Sequence, residues 1–141
     1  MKGLVRKINI VLIMMFFVLA LVQACEDFEK NSYRVLVSAA NIYNLSMESV
    51  ADLQKKGYIK TEDREEINSI AQVYYDAYQT AIDAFEAYKI AHDTDAKNRL
   101  TTSIGLVSAS LSKLVERVKP YLIESETERI RLLMNDIKGG G

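Results

Sequence analysis

Ile67, Ala71, Tyr74, Tyr78, Ala81, Phe85 and Tyr88 recur at steps of 4, 3, 4, 3, 4 and 3. A strand alternates with period two, and only an α-helix brings positions three and four apart onto one face. A second stripe, Ile70, Ala77, Ala84 and Ala91, runs beside the first, so the apolar face is wide enough for two neighbours. A helix of this kind cannot bury that face alone and demands other helices. The rest of the chain supplies them. It holds one proline, Pro120, and six glycines, three of them at the very end, a composition that favours long uninterrupted elements.

Four helices are predicted, over about residues 28–56, 62–91, 95–119 and 126–138. The first carries Tyr33, Leu36, Ala40, Tyr43, Met47, Val50 and Leu53 on its expected face. Lys55-Lys56-Gly57 stops it, because glycine takes the left-handed conformation that closes a helix and lysines suit the negative end of the helix dipole. Thr61 is the expected cap of the second helix, with Glu62 and Asp63 in its first turn. Tyr58 and Ile59 are too apolar for an exposed turn and are expected to fold over the end of the bundle. The third helix carries Leu100, Ile104, Val107, Leu111, Leu114 and Val118. Its middle is poor in helix formers, and Gly105 alone costs roughly 1 kcal/mol relative to alanine. An antiparallel hairpin turning at His92–Asp93 would set Tyr78 opposite Ser108 and Ala81 opposite Gly105, small residues making room for rings. Pro120 ends the third helix. Ser125 and Glu128 have capping-box spacing, and Ile130, Leu133, Met134 and Ile137 form the apolar side of a shorter fourth helix. The expected fold is all-α: an antiparallel up-down bundle of three long helices plus a shorter C-terminal one. Thirty-residue helices are about 45 Å long, which predicts a rod.

Ahead of this pattern stands a different one. Lys2, Arg6 and Lys7 are followed by an apolar run, Ile8 to Val22, interrupted only by Asn9. A membrane span needs roughly 20 apolar residues, and this run is shorter. It matches the hydrophobic region of a secretory signal peptide. It ends in Val22-Gln23-Ala24-Cys25, which resembles the lipobox of bacterial lipoproteins: an aliphatic residue three before the cysteine, a small residue just before it, then the cysteine. The resemblance implies cleavage between Ala24 and Cys25, removal of residues 1–24, and a mature domain of residues 25–141. It also implies that the Cys25 thiol carries a diacylglyceryl group. Cys25 is the sole cysteine, so no disulfide competes for it. Each buried methylene contributes about 0.8 kcal/mol and stable anchoring takes two chains, which a diacylated cysteine supplies. The expected location is a bacterial cell membrane, lipid-anchored, facing the periplasm or exterior. Glu26 follows the cysteine where the resemblance would place a sorting aspartate, so inner and outer membrane both stay open.

Three of the 18 basic residues and none of the 19 acidic ones precede Cys25. The mature part therefore holds 15 basic and 19 acidic residues, a net charge of −4. That excludes a polybasic membrane patch and predicts no nucleic-acid partner.

No constellation carries chemistry. His92 is the lone histidine, at a helix–helix turn, where it reads as a C-terminal cap. A metal site needs several convergent ligands, and no His-x-x-x-His, Glu-x-x-His or Cys-x-x-Cys spacing occurs, so no metal and no cofactor are expected. Met47 and Met134 with His92 would imitate a haem site only by chance; they read as core filler. Glu62, Asp63, Glu65 and Glu66 read as dipole-complementing surface charge. Ser103, Ser108, Ser110 and Ser112 lack a nucleophile-elbow context. The tyrosines of the first two helices read mostly as core with hydroxyls at the rim, and Tyr75, off the best stripe, is the candidate for an exposed partner contact.

The expectation is a non-enzymatic interaction or structural module of the cell envelope. Its partners would be the membrane, through Cys25, and an envelope protein or a second copy of itself. In size and pattern it is similar to small accessory lipoproteins of bacterial and prophage genomes, some of which act in envelope assembly, lysis or phage exclusion. The alternative is a bundle that holds a small apolar or haem-like ligand between tyrosine-lined helices.

Overall fold

The computed structural model describes the backbone of residues 2–139 and the side chains of residues 27–138. The side chains of residues 1–26, Cys25 among them, lie outside the latter. The helices are α1 (Lys2–Lys55), α2 (Thr61–Ala91), α3 (Thr94–Val118) and α4 (Glu124–Gly139), with a 3₁₀ turn at Lys119–Tyr121. The first helix starts well ahead of the expected Phe28. No glycine or proline lies between Leu4 and Lys56, so nothing interrupts the backbone ladder before that point. The chain divides into two units, Met1–Lys30 and Asn31–Gly141. The second is a four-helix up-down bundle.

The turns explain its topology. Gly57, at φ +76°, closes α1 in a double-bonded left-handed motif. Its N–H donates to Gln54 O at 3.0 Å, and the Tyr58 N–H donates to Leu53 O at 3.0 Å, satisfying two carbonyls the helix end would orphan. Ile59 tucks under this turn into a core with Val50, Ile67, Ala71, Leu114 and Val118. Tyr58 does not fold over the end as expected; it is 72% exposed. The α2–α3 turn is as tight. His92 adopts φ 50° and caps α2 by donating its N–H to Tyr88 O, and Asp93 Oδ1 accepts the Ala96 N–H at 2.7 Å to start α3.

Two expected caps are corrected. Thr61 is already helical, and the residue before α2 is Lys60, with no side-chain cap. The α4 box is shifted by two residues. Glu126, rather than Glu128, reaches back to accept the Ile123 N–H at 3.0 Å, and Thr127 N–H donates to Ile123 O. Ser125 is therefore inside the helix, and Glu128 pairs with Arg131 instead.

In α3 and α4 the expected stripes are buried at Leu100, Val107, Leu111, Leu114, Val118, Ile130 and Ile137, and half-buried at Ile104, Leu133 and Met134. In α2 the stripe is buried except for half-buried Tyr78. In α1 the face is rotated. Burial follows Ser32, Val35, Ala39, Ile42, Ser46 and Ser49, a 3-4-3-4-3 pattern made largely of small residues. Leu36 and Val50 of the expected stripe are buried beside it. The rest of that stripe lies on the edge turned to α2: Tyr43, Met47 and Leu53 pack on the Ile67–Ala71 core, while Tyr33 is 58% exposed. The opposite edge faces α4, where Ser49 Oγ donates to Glu126 Oε1 at 2.8 Å.

Gly105 makes no room for a ring. It is exposed, and a Cβ there would meet nothing within 4 Å. The tyrosines find their space against α1 instead.

Candidate functional site

The most concentrated side-chain chemistry in the bundle is an aromatic seam between α1 and α2. Tyr43 stacks on Tyr74 with ring centroids 4.7 Å apart and planes 14° apart. Tyr74 stacks in turn on Tyr78 at 5.8 Å, one turn along α2. Farther up, Tyr33 tilts onto Phe85 at 6.2 Å, and Lys89 Nζ stands 5.7 Å from the centre of the same Phe85 ring. The helical spacing produces this ladder. Residues 74, 78 and 85 share a face of α2, and the antiparallel α1 brings Tyr43 to the level of Tyr74 and Tyr33 to that of Phe85.

Tyr74 is the buried centre of the seam, 2% exposed. Its hydroxyl has no hydrogen-bond partner among the described residues, and the same is true of Ser46 Oγ. Burial pushes the Tyr74 phenol well above its ordinary value, and the neighbouring phenols of Tyr78 and Tyr43 add to that. Tyr78 is raised by burial and by Tyr33. Each of these shifts favours the neutral phenol, so the seam is an apolar stack with polar tips.

Tyr75 sits beside the seam on the outside of α2, 49% exposed. Tyr88 is buried, and its ring meets the His92 ring edge-on at 5.5 Å. Met47 is half-buried against the lower core. Met134 is half-buried on α4, and His92 is an exposed turn residue; nothing brings the three together as ligands. Among the described residues no group of three or more His, Cys, Asp or Glu side chains gathers to hold a metal ion. Ala24 and Cys25, the expected cleavage and lipid-attachment residues, lie outside the described side chains. Among the described residues no helix is long and apolar enough to cross a membrane.

The acidic cluster at the start of α2 divides. Asp63 and Glu66 both accept from Arg117 at the end of α3, through Nη2 at 2.5 Å and Nε at 2.8 Å. The guanidinium holds the Asp63 carboxyl below its ordinary range, with help from Tyr121. This clamp joins α2 and α3 at the end of the bundle remote from their turn. Apolar periodicity did not single out Arg117. A signal was available all the same: a hairpin about His92–Asp93 puts position 117 near position 68, within a turn of Glu66. Glu62 and Glu65 stay exposed. A surface depression of about 800 Å³ at the start of α4 is lined by Leu122, Glu124, Ser125, Thr127 and Glu128, a wall of acceptors without a base–nucleophile pair.

Comparison with family models, with curated proteins and with solved structures gives no match for this chain.

Proposed function

We propose that this chain is a lipid-anchored helical module of a bacterial cell envelope that works by contact, not by catalysis. The observation that carries the reading is the sole cysteine, Cys25, standing at the end of Val22-Gln23-Ala24-Cys25 after a basic start and a short apolar run. A helical bundle begins a few residues later. Acyl chains on that sulfur tether the bundle without a protein span. The contact surface is the outer side of the aromatic seam, with Tyr75 as its exposed ring, and the partner is an envelope protein or a second copy. Exposed tyrosines suit that role, since a large rigid ring adds contact area at small entropic cost. The ring-on-ring filling around Tyr74 weighs against a haem-like ligand between the helices.

The test is expression of the full chain in a bacterial host. Intact-mass analysis should find the product starting at Cys25 with added acyl mass, in the membrane fraction. Cys25→Ser should abolish the acyl mass and the processing. An unprocessed, unacylated native product refutes the anchor. A photocrosslinking residue at position 75 should capture a defined neighbour in that membrane, and a residue at exposed Glu65 should not.

A further inference from the structure

We infer that the end of the bundle that carries exposed Tyr33, Lys89 and Ile90 docks on the bilayer that holds the acyl chains, so that the bundle stands on its α2–α3 turn. This docking rests on the lipid anchor at Cys25 proposed above.

Chain length carries the argument. From Cys25 to Asn31 is six residues, at most about 20 Å even fully extended. The end of the bundle that contains Asn31, the last turn of α2 and His92 is therefore confined near the bilayer surface. The far end, with Tyr58, lies the length of α1 away, about 37 Å for the 25 residues from Asn31 to Lys55.

The confined end has the side chains an interface takes. Ile90 is 84% exposed, beside exposed Ala87 and Ala91, while the neighbouring Tyr88 is buried. Tyr33, exposed and tilted on Phe85, presents an amphipathic ring of the kind that settles at headgroup level. Lys89 lies over the Phe85 ring with a loose contact to Glu86 at 3.4 Å, so its ammonium can reach phosphate while its stem stays on the aromatic surface. Asp93, which caps α3, and exposed Asp95 add negative charge to the same end. The surface is small and its charges mixed. It orients a protein already held by lipid; it does not recruit one.

The chain contains no tryptophan, so a single introduced indole reports its own surroundings. Full-length, acylated protein is reconstituted into phosphatidylcholine vesicles with bromine on the upper acyl carbons. Three variants are compared: Tyr33→Trp, Ile90→Trp and Tyr58→Trp. Bromide quenching and a blue shift are expected for Tyr33→Trp and Ile90→Trp and absent for Tyr58→Trp. Adding Ile90→Ser to Tyr33→Trp should lower its quenching, which excludes an affinity created by the probe. Equal quenching at all three positions means the bundle lies flat and overturns the proposal. Absence of quenching in protein with verified acyl mass overturns it while leaving the anchor intact. Absence of the acyl mass removes the anchor, and this docking with it.

Discussion

Two glycines make one paired test of how this bundle is held. Gly105 and Gly57 have equally empty surroundings, with nothing within 4 Å of a built Cβ. They differ in backbone. Gly105 is an exposed position in the middle of α3, and Gly57 stands at φ +76° in the motif that closes α1. Gly105→Ala therefore changes only helix propensity, a gain of about 0.8–1 kcal/mol. With an unfolding entropy of roughly 2.1 cal/mol/K per residue over a unit of about 110 residues, that raises Tm by about 4 °C. Gly57→Ala forces an L-residue into the left-handed region, a loss of about 1–2 kcal/mol and a lowering of Tm by about 4–9 °C. Both variants of the full chain are unfolded by heat and by urea under far-UV circular dichroism, with the urea slope checked for constancy. Opposite signs are required. If Gly105→Ala destabilises, a neighbour approaches α3 there and the register between the helices is wrong. If both variants stabilise, the left-handed closure of α1 is wrong.

Tyr74 should be the last tyrosine to ionise in an ultraviolet titration. Its folded value is raised above the unfolded value near 10, so the unfolded chain loses that proton first, and stability present below pH 10 falls as pH rises beyond it. Tyr74→Phe should remove this alkaline loss and, by deleting a buried hydroxyl without a partner, raise stability by about 1 kcal/mol in urea unfolding. At the other extreme, Asp63 is held below its ordinary value by Arg117. Its contribution is present above about pH 4 and is lost as pH falls through the folded value; Arg117→Met should flatten that part of a pH–stability profile. Glu126→Ala loses the acceptor for both Ile123 N–H and Ser49 Oγ and should cost about 1–2 kcal/mol in urea unfolding, with Glu126→Gln intermediate. Leu114→Ala, at a fully buried position, should cost about 2–5 kcal/mol in the same assay through the cavity it leaves.

The sequence by itself determined the number, type and order of the helices. It also determined the stop at Gly57, the turn at His92–Asp93, and the buried stripe of α2. These follow from local physics: periodicity marks a face, glycine and proline mark its ends, and each acts within a few residues.

Tertiary structure alone decided which way α1 turns its face. Periodicity weights apolar side chains, so it found the edge that carries Tyr43 and Met47 and missed the serines between. A serine on a helix is inexpensive to bury where its hydroxyl finds an acceptor, as Ser110 does in Leu106 O and Ser49 in Glu126, although Ser46 Oγ on the α1 face has none among the described residues. The capping residue of α4 was settled by reach, since Glu126 satisfies Ile123 and Ser49 together and Ser125 satisfies neither. Arg117 and Asp63, 54 positions apart, became partners only when the hairpin closed. Small residues, long polar side chains and distant charges take their roles from neighbours that one stretch of sequence does not contain, and that is why those features had to wait for the packed bundle.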